Sequence, residues 1–254
     1  MNYIFESSAV ICGNLRPIKM FLNKVWKNII DFIFPPFCAI CNSTLKGNEK
    51  VVCESCFQNI KFVEPPFCKK CGKPLLKVRC ENCKSNKFVF KKARAFGVYD
   101  GNLREIIHLL KYNRKLSLAK RLGRMMSLVL HTDEVLRGAD MIVPVPLHQS
   151  RLRERGYNQC DCLSDSLSES SKIPVFKKVL VRRRATKSQI KLEPEQRLKN
   201  VEDAFVVKDK KKVEGKKVLL VDDVMTTGST LNACSDALLR GGADEVCCLT
   251  AAVA

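Results

Sequence analysis

Two carboxylates and a row of hydroxyl side chains follow one apolar segment near the end of this 254-residue chain. The apolar segment is Val218–Val221, and its lack of polar alternation predicts a buried strand of a parallel sheet. Asp222 and Asp223 follow it directly. The next loop consists of Thr226, Thr227, Gly228, Ser229 and Thr230. Apolar residues with helical spacing come after the loop, so we expect a strand, a loop and the start of a helix.

A helix that begins at such a loop can bind an anion, because its first N–H groups have no partner within the helix and carry partial positive charge. Gly228 allows the backbone to approach a ligand closely, and the hydroxyls can donate hydrogen bonds. Asp222 and Asp223 would repel a phosphate but suit a diol, or a magnesium ion carried by the ligand. The pattern therefore indicates a ribose 5-phosphate group. The alternative is a plain strand-to-helix turn with two solvated acidic residues.

The same segment resembles the 5-phosphoribosyl-1-pyrophosphate (PRPP) motif of type I phosphoribosyltransferases at essentially every position. The resemblance implies that Asp222 and Asp223 hold the ribose hydroxyls. It also implies that residues 226–230 bind the 5-phosphate.

Eight of the fourteen cysteines form four Cys-x-x-Cys pairs. The pairs are Cys38 with Cys41, Cys53 with Cys56, Cys68 with Cys71, and Cys80 with Cys83. A structural zinc ion takes four thiolates in a closed tetrahedron, so the pairs predict two structural zinc ions. Pairing in sequence order would give the first four cysteines to one ion and the last four to the other. An interleaved pairing, a redox role for a single pair and an iron–sulfur cluster remain alternatives.

Composition narrows the class of protein. The chain has 45 Lys and Arg against 26 Asp and Glu, a net charge of +19, which predicts an anionic partner such as nucleic acid, a nucleotide-like substrate or a membrane surface. A merely basic protein is the alternative. The sequence contains no signal-peptide pattern and no apolar run of the ~18–20 residues that span a bilayer. We expect a cytoplasmic protein in a reducing compartment, with no membrane span.

The elements that must position these residues divide the chain into four predicted parts. We expect a disordered extension over residues 1–19, with Met20 as an alternative start, and an amphipathic helix over 20–36. A double zinc-binding module over 37–90 and an α/β domain over 91–254 would follow. The last segment, from Glu245, predicts a final apolar strand.

A second cluster of candidate residues precedes the acidic pair. A short predicted strand, Met141–Val143, is followed by Pro144-Val145-Pro146-Leu147. The two prolines mark a turn at the carboxyl edge of the sheet, where ligands of doubly wound folds bind. Three alternating arginines come next, and guanidinium groups bind phosphates through paired hydrogen bonds. They are Arg151, Arg153 and Arg155. We expect a mobile phosphate-gripping loop, with a solvated basic loop as the alternative.

Two further segments are strongly basic. Lys177–Lys199 contains the motif Arg184-x-Thr186-x-x-Gln189, and Lys208–Lys217 comes directly before the acidic-pair strand. We expect Lys208–Lys217 to be an exposed hairpin or loop. Both segments are consistent with simple solvation or with contacts to a nucleic-acid backbone.

The order of motifs resembles the ComF family of bacterial phosphoribosyltransferase-like proteins, over roughly residues 21–251. The motifs are Phe-Pro-Pro-x-Cys38, the four cysteine pairs, Tyr99-Asp-Gly101, Lys111-Tyr112, Pro144-Val-Pro-Leu147, Arg155-Gly-Tyr-Asn-Gln159, Arg184-x-Thr-x-x-Gln189 and residues 218–230. The resemblance implies an α/β fold of the type I phosphoribosyltransferase class, a Rossmann-like parallel sheet, with an N-terminal cysteine-rich zinc module. It also implies a role in natural competence, in the uptake or handling of single-stranded DNA.

The resemblance also implies that the turn Pro144–Leu147, including Pro144 and Val145, is the pyrophosphate loop, and that residues 151–157 form a flexible hood. Three hypotheses follow. In an enzyme, PRPP would lose pyrophosphate while magnesium and the catalytic candidates Arg151, Arg153 and Arg155 offset its charge. In a binding module, a PRPP-sensing site would accompany surfaces that bind single-stranded DNA. In a scaffold, the zinc module would dock a DNA-processing protein, such as another competence protein. The resemblance implies no acceptor substrate.

Overall fold

The computed structural model describes residues 35–75, 78–183 and 204–254. The extension predicted over residues 1–19, nearly all of the helix predicted over 20–36, and the Arg184 motif lie outside the described residues. Contacts between residues divide the chain into two compact units, with the boundary between Cys53 and Glu54.

In the first unit, a tight turn carries the first cysteine pair. Phe37 and Thr44 form an antiparallel bridge, and the Cys38 N–H donates to the Ser43 carbonyl at 2.8 Å. This turn directs the Cys38 and Cys41 thiols to the same side as Cys53, whose N–H donates to Cys38 Sγ at 3.4 Å.

The second unit contains a parallel sheet surrounded by helices. The strands are β1 (Lys92–Val98), β2 (Met141–Pro144), β3 (Leu180–Arg182), β4 (Phe205–Val207), β5 (Lys217–Met225) and β6 (Glu245–Val253). The helices are α1 (Glu54–Gln58), α2 (Glu81–Ser85), α3 (Gly101–Tyr112), α4 (Ser117–Thr132), α5 (Glu134–Arg137), α6 (Gln149–Arg155), α7 (Gln159–Ser171) and α8 (Ser229–Arg240). A 3₁₀ turn covers Lys210–Lys212.

The four main strands are all parallel, in the order β1-β6-β5-β2, while β3 and β4 form a separate antiparallel pair. Val218–Val221 is fully buried within β5, which confirms the predicted strand covered on both faces. The final strand β6 confirms the prediction from Glu245 onward. Because every strand of the main sheet runs the same way, β2 and β5 bring the ends at Pro144 and Met225 to one edge.

The arginine-rich segment differs from its prediction, since Gln149–Arg155 is the helix α6 and not a loop. His148 begins the helix by accepting a hydrogen bond from the Ser150 N–H at 3.2 Å. Gly156 ends it in the left-handed conformation, at φ +78°. The alternating charges had concealed these two capping signals.

The second cysteine group packs into the same core as the sheet. Cys68 and Cys71 are buried together with Phe90 and Ala93, and the Ala93 N–H donates to the Lys70 carbonyl at 2.8 Å. The domain boundary between residues 90 and 91 stays a prediction. Among the helices of the described residues, none combines the length and apolar character needed to cross a membrane.

Candidate functional site

The acidic pair lies inside the carboxyl end of β5 and is buried. Strand β5 continues through Asp222 and Asp223, four residues beyond the predicted end at Val221, because Asp222 remains paired with Thr250 of β6. Asp222 is 9% exposed and Asp223 is 4% exposed. Buried carboxylates require partners, and those partners come from helices α3 and α7.

Asp223 is bound on both carboxylate oxygens. The Lys111 ammonium, in the last turn of α3, lies 2.8 Å from Asp223 Oδ1. The Gln159 amide, at the start of α7, donates to Asp223 Oδ2 at 2.6 Å. Burial is the largest single effect and by itself lowers the pKa of Lys111, but the charge of Asp223, its hydrogen bond and the charge of Asp222 together outweigh burial and raise that pKa. The contact is therefore a buried ion pair supported by a hydrogen bond.

Asp222 has weaker partners. The Cys160 thiol donates to Asp222 Oδ1 at 3.2 Å, and the Asp223 N–H donates to the same oxygen at 2.8 Å. Burial, followed by the neighbouring charge of Asp223, raises the pKa of Asp222 from 3.8 to about 7. The pair therefore holds a proton into the neutral range. It offers oxygen ligands to a cation or a diol only once that proton leaves.

The three candidate arginines separate into two kinds. Arg155 is 7% exposed, donates to Gln159 Oε1 at 3.0 Å and lies over the Tyr112 ring at 5.1 Å from its centroid. Because Gln159 also donates to Asp223, Arg155 acts on the acidic pair indirectly, by fixing the side-chain amide that binds Asp223. Arg151 and Arg153 are exposed on α6. Only these two have side chains open to solvent for a ligand.

The predicted proline turn lies beside the acidic-pair strand. Pro144 pairs with Val221, and the Val145 N–H donates to the Val221 carbonyl at 2.9 Å. Asn158 then fixes the turn, since its side-chain amide donates to the Val145 carbonyl at 3.1 Å. The same side chain accepts from the Cys160 N–H at 3.1 Å and so begins α7.

The hydroxyl loop joins β5 to α8 and is open to solvent. Thr226, Thr227 and Thr230 are exposed, while Gly228 is buried and adopts φ +88°. Thr227 Oγ1 accepts a hydrogen bond from the Ser229 N–H at 3.3 Å and lies 2.9 Å from Ser229 Oγ. The loop thus meets the twelve-residue helix α8 as predicted, with hydroxyls and N–H groups at its start.

The structure brings Asp222 and Asp223 together with the turn at Pro144 and Val145, and with Arg155 through Gln159. It also adds three residues whose contacts the sequence pattern does not indicate, namely Lys111, Gln159 and Cys160. A signal for Lys111 existed, because it continues the amphipathic helix α3 just after the buried Leu110 yet carries a charge. Helical spacing alone, however, does not identify a partner that lies in a strand over a hundred residues later.

The eight predicted zinc ligands form two tetrads in sequence order. The sulfurs of Cys38, Cys41, Cys53 and Cys56 lie within 4.8 Å of one another, and so do those of Cys68, Cys71, Cys80 and Cys83. Three of these Sγ–Sγ distances are 3.5–3.6 Å. Zn–S bonds of ~2.3 Å in a tetrahedron place sulfurs roughly 3.8 Å apart. Both tetrads therefore fit a structural zinc ion, and the pairing follows sequence order.

Comparison with known proteins matches both parts of the chain. Residues 29–86 match the double zinc ribbon domain family, and residues 162–253 match the phosphoribosyl transferase domain family. Competence protein F of Haemophilus influenzae is 32% identical over 82% of this chain and 93% of its own length. DNA utilization protein YhgH of Escherichia coli is 35% identical over 66% of this chain and 74% of its own.

Among solved structures, glutamine PRPP amidotransferase from B. subtilis overlaps 52% of this chain and 26% of its own, with 23% identity and a TM-score of 0.37. The family assignment rests on the sequence relatives, because the similarity to competence protein F extends over most of both chains. The chain belongs to the family of competence protein F, the ComF family, and combines a double zinc ribbon with a phosphoribosyltransferase fold.

Proposed function

We propose that this protein binds PRPP together with Mg²⁺ at the carboxyl edge of its sheet and acts in natural competence, in the handling of single-stranded DNA. One observation carries the proposal. The acidic pair, Asp222 and Asp223, stands directly before an exposed hydroxyl loop at the start of α8. A phosphate at the loop and a diol at the pair are the two ends of a ribose 5-phosphate.

Each part of PRPP has a candidate partner. The N–H groups and hydroxyls of residues 226–230 bind the 5-phosphate, and the carboxylates of Asp222 and Asp223 accept hydrogen bonds from the ribose hydroxyls. The turn at Pro144 and Val145 faces the pyrophosphate. Magnesium, which favours carboxylate and phosphate oxygens, supplies charge neutralisation there. Arg151 and Arg153, exposed on α6, add positive charge to the same group.

The role in competence and the DNA partner rest on other support. The relatives carry the names competence protein F and DNA utilization protein. The net charge of +19 favours an anionic macromolecule, and phosphate contacts give DNA affinity without sequence reading. The zinc ribbons offer a surface for DNA or for another competence protein.

A second candidate is a non-catalytic protein that senses PRPP while its zinc-containing parts bind DNA or serve as a scaffold. The burial of Arg155 favours this candidate, because a guanidinium held by Gln159 is not available to a departing pyrophosphate. Both candidates bind PRPP, but only the enzyme releases pyrophosphate from it.

Calorimetric titration of PRPP with Mg²⁺ into the zinc-loaded protein tests the shared step. We expect micromolar binding by the wild type, and its loss in the double variant Asp222→Asn with Asp223→Asn. Asp244→Asn is the matched control, since Asp244 is exposed at the opposite edge of the sheet. A folded wild-type protein that binds no PRPP would overturn the proposal. Release of pyrophosphate, with and without single-stranded DNA, then separates the enzyme from the sensor.

A further inference from the structure

The segment that follows the second cysteine tetrad packs directly against the hydroxyl loop. A methyl group built on Gly228 would lie only 2.9 Å from Phe88 Cε1 and 3.0 Å from Phe88 Cζ. The aromatic ring therefore fills the space that a side chain at this position would need. Gly228 is buried, whereas Thr227 and Thr230 are exposed, so the ring supports the loop from its covered side.

The next residue makes a second contact to the same region. The Val89 N–H donates to Asn232 Oδ1 at 2.7 Å, across 143 residues of sequence. Asn232 lies in the first turn of α8, and its own N–H donates to the Gly228 carbonyl at 2.9 Å. Two consecutive residues, Phe88 and Val89, thus hold both the glycine of the loop and the helix start that follows it.

The second zinc ribbon determines where Phe88 lies. Phe88 stacks on Phe90 with ring centroids 4.7 Å apart, and Phe90 is fully buried. Lys70, between Cys68 and Cys71, places its ammonium 5.7 Å from the Phe90 ring centroid. Upstream, Cys83 belongs to the short helix α2, which ends three residues before Phe88. The segment that carries Phe88 is therefore joined to the second tetrad in two ways, through the chain that continues from Cys83 and through the contact of Lys70 with Phe90.

We propose that Phe88 and Asn232 are positioning residues for the 5-phosphate loop, so that the second zinc ribbon is a structural part of the PRPP site. The proposal rests on the proposed PRPP binding and extends it. Removing the ring leaves a gap behind Gly228, and removing the amide leaves the Val89 N–H without its acceptor. In either case the loop N–H groups lose the fixed arrangement that a phosphate requires.

The experiment compares Phe88→Ala, Phe88→Leu and Asn232→Ala with a control, Phe62→Ala. Phe62 is also a phenylalanine near a zinc ribbon, but it packs on Phe96. Calorimetry with Mg²⁺ measures the affinity for PRPP, ribose 5-phosphate and pyrophosphate, and metal analysis measures the zinc content. We expect Phe88→Ala and Asn232→Ala to keep two zinc ions and to bind PRPP and ribose 5-phosphate about tenfold more weakly, a loss of ~1.4 kcal/mol.

Pyrophosphate affinity should stay unchanged in these variants, because that group binds at the turn beside β2. Phe88→Leu, which keeps an apolar side chain behind Gly228, should restore most of the PRPP affinity. Hydrogen exchange should rise at the amides of residues 226–229 in Phe88→Ala and not in Phe62→Ala.

Wild-type PRPP affinity in Phe88→Ala would overturn the inference, as would an equal loss of PRPP and pyrophosphate binding. Unchanged exchange at residues 226–229 would also overturn it, even for a variant that folds poorly. Failure of the wild type to bind PRPP is a different result, since it removes the proposed function itself.

Discussion

Asp222 and Asp223 show how much a single residue pair depends on its surroundings. Sequence order identified the pair and its place at the end of a strand. It gave no sign that Lys111 neutralises Asp223 at 2.8 Å or that a thiol, Cys160, faces Asp222. Those contacts depend on how α3 and α7 pack against β5, and residue spacing along one helix carries no information about a neighbouring element.

The raised pKa of Asp222 predicts a pH dependence of stability. The folded protein holds this proton up to about pH 7, whereas the unfolded chain releases it near 3.8. Between these values the folded state binds more protons, so the contribution to stability falls as the pH rises from about 4 to about 7. We expect Asp222→Asn to flatten this fall, measured by urea unfolding across the interval. An unchanged slope would contradict the assignment of the proton to Asp222.

The candidate arginines should separate in a mutational comparison. Arg155→Met removes a buried donor from Gln159 and a stacking partner of Tyr112, and we expect a loss of about 2–4 kcal/mol in the free energy of unfolding. Arg153→Met should change stability by less than about 0.5 kcal/mol, because Arg153 is exposed. Arg153→Met should instead weaken the binding of PRPP, because it removes positive charge that faces the pyrophosphate. Equal unfolding midpoints for the two variants would contradict this division.

At the scale of elements, the sequence predicted the parts that rely on local patterns. Strand β5, the helix after the loop and the cysteine pairs were all recognisable, since burial on both faces, helical period and ligand spacing are local signals. The helix α6 was missed because its caps, His148 and Gly156, were masked by the alternating arginines. The support that Phe88 gives to Gly228 was also beyond the sequence, because it joins segments 140 residues apart.

The two tetrads predict a definite metal content. We expect two zinc ions per chain by atomic absorption, and one in Cys80→Ala, because three thiolates no longer close a structural site. Cys41→Ala should also retain one ion. Cys247→Ala is the matched control, since this cysteine lies in β6 outside both tetrads, and it should retain two. Cys80→Ala with both ions bound would contradict the tetrads.

At the scale of the whole domain, strand β5 has an acidic region near one end and a basic region at the other. Its carboxyl end carries the acidic pair, and its amino end, Lys217, is the last residue of the basic segment Lys208–Lys217. Lys217 and Asp222 lie five residues apart along this strand, which corresponds to roughly 17 Å at ~3.3 Å per residue. The lysines therefore cannot reach a ligand held at Asp222 and Asp223. The sequence identified both regions, but only the strand direction placed them at opposite edges.

This separation predicts independent effects on two ligands. Replacing Lys210, Lys211 and Lys212 by glutamate should weaken the binding of single-stranded DNA and make it less dependent on salt, because fewer phosphates are neutralised. PRPP affinity should remain unchanged. Fluorescence anisotropy with a labelled oligonucleotide over a salt series measures DNA binding, and calorimetry measures PRPP affinity. DNA affinity equal to that of the wild type would exclude this segment from the DNA surface.

The packing of Cys68 and Cys71 against Phe90 and Ala93 affects how the protein can be divided for expression. A truncation that starts at Lys92, where the sheet begins, would remove part of the core and uncover the apolar residues beneath it. Such a fragment should aggregate, although it contains every strand of the sheet. A fragment intended to fold has to start far enough upstream to include both cysteine pairs of the second tetrad, which sets the practical limit for shortening the gene.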